Sequence, residues 1–283
     1  MDVAVLGPLT VRYSGLSVVP TAAKPRRLLG LLAVRAGQPV PVETICAELW
    51  GGDRPRTAHL TLQGYVSSLR ARVRAAAEQG SGGEEPVDPK EIIVGTSCGY
   101  VLRAGESSSD VREFDRLAEA GHEAQKSGNH RLAAQRFGRA LALWRGPALA
   151  DVRSGPELHR EALRLEESRL SVLGCRVEAD LNMGRHHALV GEIAALCAQY
   201  PLHEGLHRQH MITLYRVGRR LDALRAYNRL RAALKAAQGI EPSIELKRLH
   251  HQVLHSRIAP FAGAVEPMPA LSATSGGGEA TVA

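Results

Sequence analysis

A glycine, with a small or aliphatic apolar residue five positions on and a larger one at nine, recurs three times in the C-terminal half of this chain. In GNHRLAAQRFGRAL from Gly128 the pair is Ala133 and Phe137. In GRHHALVGEIAALC from Gly184 it is Leu189 and Ile193, and in GRRLDALRAYNRLR from Gly218 it is Ala223 and Tyr227. Gly184 and Gly218 stand 34 residues apart, a period at which pairs of helices stack. The first interval, 56 residues, is irregular and calls for an insertion or an extra helix. A single helix pair cannot bury its apolar face alone, so the pattern predicts a stack of them. Stacked helix pairs have no chemistry of their own; their grooves bind partners.

The N-terminal half follows other rules. Val3 to Val19 is rich in valine and leucine and broken by Gly7-Pro8 and Ser14-Gly15, which predicts short strands joined by turns. Lys24-Pro25 then opens a helical spacing of Leu28, Leu29, Leu31, Leu32 and Val34, closed by Gly37. Pro41 to Trp50 reads as a second short helix, stopped by Gly51-Gly52. After a polar excursion from Gly80 to Pro89, Ile92-Ile93-Val94 and Tyr100-Val101-Leu102 flank GTSCG, the pattern of a β-hairpin.

Between these lies Arg54 to Ala77, with five arginines (Arg54, Arg56, Arg70, Arg72, Arg74) and no acid between Asp53 and Glu78. Leu62, Val66, Leu69 and Val73 fall on one helix face, which leaves Thr61, Ser67, Ser68, Arg70 and Arg72 off the stripe. A helix with a buried apolar edge and a polar, basic remainder suits a negatively charged, hydrogen-bonding groove. By itself the stretch is equally compatible with a solvated surface helix. The formal net charge of +7 makes an anionic partner plausible without specifying a fold.

Strands, three helices with the third most basic, and then a hairpin is the order of a winged helix-turn-helix, whose third helix enters the major groove. The pieces LGPLTV, VRAGQPV, ELWG, YVSSLRARV and GYVL make residues 1–104 resemble the OmpR-type winged helix. FDRLAEAG, ALALWRGPAL, YPLHEGL, LYRVGRRLDALRAYNRLRAAL and GIEPSIELKRLHHQVL make residues 110–258 resemble the bacterial transcriptional activator domain, whose repeats are tetratricopeptide-like. The two together look like a small Streptomyces antibiotic regulatory protein, of the SARP family. The expected fold is therefore mainly α with a small β component: a winged helix, then an all-α helical-repeat domain. Residues 259–283, rich in Gly, Ala, Pro and Ser, are expected to be a disordered tail.

The resemblance implies a transcriptional activator that binds direct repeats near a promoter's −35 region, two protomers side by side about 10–10.5 bp apart. It also implies RNA polymerase and its principal sigma factor as partners, a secondary-metabolite gene cluster as target, and a cytoplasmic, nucleoid-associated location. The alternative is a tetratricopeptide-type scaffold whose winged helix does not read DNA. For DNA contact the expected residues are Thr57, His59, Thr61, Gly64, Ser67, Ser68 and Arg72 on the third helix, with Arg70 open between phosphate and an internal partner. Lys24, Arg26 and Arg27 are candidates for backbone clamping, and Thr96 and Ser97 for the wing tip. Family members often carry a long base-reading side chain where this chain has Gly64, which puts that contact in doubt. The loop Gly51, Gly52, Asp53, Arg54, Pro55 matches the position where such proteins touch polymerase. Trp50 and Tyr65 read as packing residues.

Other chemistry finds little support. His203-Glu204-Gly205-Leu206-His207 spells H-E-x-x-H, a zinc-site pattern with a high false-positive rate. It follows Tyr200-Pro201 at a helix start, so Glu204 reads better as a first-turn acid. His186-His187, His250-His251 and His255 read as surface substitutions. No catalytic triad, Walker loop or GxGxxG is present, and GSGG at 80–83 lacks the following Lys-Ser. Neither enzymatic activity, nor a metal, nor a cofactor is expected. Cys46, Cys98, Cys175 and Cys197 form no CxxC pair and read as reduced thiols. The start MDVAVLGPLTV lacks the basic region of a signal peptide, and no apolar run approaches the ~18 residues of a membrane span.

Overall fold

The computed structural model describes residues 1–80, 88–105 and 109–255. The expected tail and most of the Gly80–Pro89 excursion lie outside the described residues. The chain is mainly α-helical with two small antiparallel sheets, and it divides into two compact units, Met1–Asn182 and Met183–Ala283.

The first unit begins with a sheet of β1 (Asp2–Ala4), β2 (Thr10–Tyr13) and β3 (Leu16–Ser17) in that order, with Val3 opposite Val11 and Arg12 opposite Ser17. Ser14 and Gly15, at φ 48° and 79°, make the two-residue turn whose left-handed backbone matches the strand twist. α1 (Ala23–Val34) buries the leucine run and ends before Gly37 at φ 82°. Residues Val40–Pro41 form a short strand, β4, so α2 (Val42–Trp50) starts one residue later than the sequence suggests. α3 (Ala58–Gly80) starts four residues later than the arginine run does, because Pro55 and the Arg54 ion pair to Glu43 hold that segment as a loop.

A one-turn helix not evident in the sequence, α4 (Pro89–Ile92), is capped by Asp88, whose Oδ1 accepts from Lys90 N at 2.9 Å. It leads into β5 (Ile93–Gly95) and β6 (Gly99–Leu102). The second sheet has the order β4-β6-β5, with Ile93 opposite Leu102 and Pro41 opposite Gly99. At Gly99 a Cβ would overlap the Val40 carbonyl, so the β4–β6 approach demands glycine.

α5 (Asp110–Lys126), α6 (His130–Leu141) and α7 (Pro156–Asn182) complete this unit. Gly128, at φ 75°, turns α5 into α6, and Ala133 and Phe137 are fully buried. Gly121 of α5 lies flat against the Phe137 ring, where a Cβ would collide. The irregular interval before Gly184 is filled by the loop 142–155 and by the long α7.

Hydrogen bonds tie that loop and α5 to the β1–β2 connection. Arg145 N donates to Leu6 O at 2.8 Å and Leu149 N to Val5 O at 3.0 Å. The Asp110 carboxylate accepts from Val5 N and Leu6 N, and Asp151 Oδ1 accepts from Leu9 N at 2.7 Å. On the other side of the unit Glu48, only 1% exposed, caps α7 from α2. Its carboxylate accepts from Gly155 N (2.6 Å), Glu157 N (2.8 Å) and Leu158 N (3.2 Å), three donors that no intrahelical carbonyl can reach.

The second unit contains α8 (His186–Gln199), α9 (Glu204–Arg216), α10 (Arg220–Gln238) and α11 (Ile244–Leu254). Gly184 and Gly218, at φ 77° and 80°, each precede a helix by two residues, as Gly128 does. Leu189, Ile193, Ala223 and Tyr227 are all buried. Met211, Leu214, Leu230, Leu234, Leu246 and Val253 join Ala223 and Tyr227 in one apolar core. Gly239, at φ 69°, ends α10 in the left-handed cap position.

Candidate nucleic-acid interface

The stripe Leu62, Val66, Leu69 and Val73 is buried along α3, extended by Ala58, Ala76 and Ala77. That orientation exposes Thr57, His59, Gly64, Ser67, Ser68 and Arg72 of the expected residues, while Thr61 is half-buried. It exposes equally Leu60, Gln63 and Arg74, which sequence reasoning passed over although the same spacing turns them outward. Among the described residues Arg56, Arg72 and Arg74 have no side-chain partner, so their charges face solvent uncompensated. A Cβ added at Gly64 would meet open space.

Arg70 takes the internal option. Its Nε and Nη2 both donate to Ile93 O, at 3.0 and 2.7 Å, and so fasten α3 to β5. The hairpin β5–β6 is therefore held against the helix by a charge-assisted fork. At its tip Thr96 is a turn builder: its Oγ1 accepts from Gly99 N at 3.1 Å and its N donates to Gly99 O at 2.8 Å. Ser97 is exposed beside it.

The three expected backbone clamps are placed differently. Arg26 is ion-paired to Asp151, and Arg27 Nη1 donates to Glu48 O at 3.0 Å. Lys24 Nζ sits 5.3 Å above the Trp50 ring. Acceptors from the loop 142–155 and the α2 carboxyl end capture the two arginines, and the one that takes Arg26, Asp151, lies beyond the first 104 residues. Trp50 stacks with Tyr65 at 6.4 Å, as packing residues do.

The loop Gly51, Gly52, Asp53, Arg54 and Pro55 is exposed, with Gly51 at φ 58°. Arg54 braces it, pairing with Glu43 on α2 and reaching His59 Nε2 on α3 at 2.7 Å. The guanidinium hydrogen bond holds the Glu43 carboxyl below the usual carboxylate range. Because arginine only donates, His59 Nε2 is the accepting atom in that contact.

The H-E-x-x-H residues have structural occupations. His203 caps α9, its Nδ1 accepting from Leu206 N at 3.1 Å. Glu204 accepts from Ser243 N at 3.0 and 3.2 Å, joining the starts of α9 and α11. His207 is buried, which lowers its pKa. Among the described residues no three His, Cys, Asp or Glu side chains are grouped to hold a metal. His250 stacks on Tyr227 at 4.1 Å, and His251 stacks with His255. No described helix is long and apolar enough to cross a membrane.

Comparison with known proteins adds to this geometry. The model of the bacterial transcriptional activator domain matches residues 109–254. The chain is 43% identical over 256 residues to the regulatory protein DnrI of Streptomyces peucetius, covering 90% of this chain and 93% of that one. It is 32% identical to the regulatory protein AfsR of Streptomyces griseus over 94% of its own length, which is 26% of that longer protein. A solved structure of Mycobacterium tuberculosis EmbR in complex with a low-affinity phosphopeptide superimposes with a TM-score of 0.82 at 29% identity, covering 91% of this chain and 66% of that one. These relatives are named as regulators, none of them as an enzyme.

Proposed function

The chain belongs to the SARP family of transcriptional activators, and from that premise we propose that it reads promoter DNA with α3 and recruits RNA polymerase. The observation that carries the proposal is the outer side of α3, acid-free from Ala58 to Ala77, with Arg72 and Arg74 unpaired on a helix fastened to its neighbouring hairpin through Arg70. In this reading β1–β3, α1–α3 and β5–β6 act as a winged helix, and α5–α11 as a tetratricopeptide-like stack. α3 enters the major groove, where Ser67 and Ser68 reach base edges or phosphates and Arg72 neutralises a phosphate. Thr57, at the helix start, and Ser97, at the wing tip, meet the backbone. Arg26, Arg27 and Arg70 act as positioning residues within the protein.

Two protomers bind direct repeats near the −35 region, about 10–10.5 bp apart, so that both α3 helices meet one face of the duplex. The exposed loop Gly51–Pro55, braced by Arg54, is the surface offered to polymerase, including its principal sigma factor. The target is a secondary-metabolite cluster and the site of action the cytoplasm. The test is recovery of fragmented genomic DNA by the purified protein, followed by sequencing. Enriched promoter fragments sharing a tandem repeat at one-turn spacing support the reading. Sequence-blind recovery that vanishes at moderate salt overturns it, since charge alone then holds the DNA.

A further inference from the structure

The buried stripe of α3 and its outermost line are related by a shift of two residues. Leu62, Val66, Leu69 and Val73 minus two gives Leu60, Gly64, Ser67 and Ala71, and two residues rotate a helix by about 200°. All four are exposed. The line that would penetrate furthest into a groove therefore carries no charge and no amide. Arg72 and Arg74 lie to either side of it, and Gln63 and Ser68 flank it likewise.

Leu60 stands out on this line. It is 71% exposed, the largest value among the exposed large apolar side chains of the molecule's described residues. It lies in the first turn of α3, the end of a reading helix that approaches base edges. One turn on, a Cβ built at Gly64 would point into open space, and glycine puts no side chain there to keep the helix away from the groove floor. An aliphatic side chain cannot read the donors and acceptors of the major groove. The one apolar feature that groove presents is the C5-methyl group of thymine.

We propose that Leu60 is a specificity-determining residue that selects thymine through its methyl group. Gly64 gives Leu60 that depth, while the basic flanks supply affinity without sequence choice. This rests on the reading of α3 as the DNA-reading helix, and the experiment separates the two. The operator is first selected from random duplexes by the full-length protein. Each thymine of the selected half-site is then replaced by deoxyuridine, which removes only the methyl group and keeps every hydrogen bond. Affinity is measured by fluorescence anisotropy at one fixed salt concentration.

At one thymine per half-site the wild-type protein is expected to lose about four-fold in affinity, the worth of one methyl taken from water. The Leu60→Ala protein is expected to bind thymine and deoxyuridine there within about 1.5-fold of each other, while keeping its salt dependence. Leu60 makes no buried contact and alanine favours a helix, so the variant retains the fold, checked by circular dichroism. If wild type tolerates deoxyuridine at every thymine, the assignment of Leu60 is overturned while the selected operator still stands. If the four-fold loss persists in Leu60→Ala, another side chain reads the methyl and the assignment falls as well. If no operator emerges from the selection, DNA reading by α3 fails, and this inference fails with it.

Discussion

Glu48→Ala is expected to destabilise the first unit markedly, although the residue contacts neither the outer side of α3 nor its arginines. Its carboxylate is the shared acceptor for Gly155 N, Glu157 N and Leu158 N at the start of the 27-residue α7. A hydrogen bond to a charged group contributes about 1.5–3 kcal/mol, and losing a helix cap costs about 0.5–2 kcal/mol. The negative charge also faces the positive end of the helix dipole. These contributions overlap and do not add. Gly155 and Glu157 are half-buried, so water replaces part of what is lost; Leu158 N is buried and stays unsatisfied. The net cost is on the order of 2–4 kcal/mol. Both tryptophans, Trp50 and Trp144, lie in the first unit, so urea unfolding followed by tryptophan fluorescence reports on it directly. Glu48→Gln retains one acceptor oxygen and is expected to cost roughly half as much. A Glu48→Ala protein within about 0.5 kcal/mol of wild type, the range of a neutral surface change, would refute the claim that this side chain caps α7.

Three further outcomes are expected. Arg72→Ala should weaken DNA binding about equally for all sequences and reduce the salt slope by about one, measured by titration across salt concentrations; an unchanged slope would remove Arg72 from the phosphate contacts. Gly99→Ala should cost about 1–3 kcal/mol and loosen the hairpin, because its Cβ overlaps the Val40 carbonyl; hydrogen exchange at Val40 and Tyr100 would detect the opening, and unchanged protection would contradict it. The second unit should lose stability in acid. Burial first, then the nearby His207, Arg229 and Arg219, lower the His210 pKa from 6.5 to about 4, with Asp222 opposing. The unfolded chain then binds the proton that the folded chain refuses. Stability is thus full above about pH 6.5 and falls by up to about 3 kcal/mol as pH drops toward 4. Thermal unfolding across that window should show the decline, and His210→Leu should flatten it; an equal decline in the variant would exclude His210 as its source.

Periodicity carried much of the fold. The side of α3 that is buried follows from four apolar residues at helical spacing, because a helix has one geometry and an apolar stripe must leave water. The glycines at 128, 184 and 218 are legible for a similar reason: the helix-ending backbone at φ near +75° to +80° suits glycine wherever it occurs. These are local constraints, written within a few turns of chain. The outward aim of Leu60 and Gln63 was equally local, and was available from the same spacing.

What tertiary structure alone decided is where the charged side chains end. Arg26, Arg27, Arg70 and Arg72 look alike as residues, yet only Arg72 is left facing solvent. Arg70 finds a carbonyl 23 residues away, Arg26 a carboxylate 125 residues away, and Glu48 amides more than 100 residues away. No pattern along the chain encodes such partners, since an ion pair or cap depends on distance in space and its partner can come from any element brought alongside. The sequence by itself determined that a basic helix would present one face outward; the folded first unit determined which of its arginines remained free to meet a phosphate.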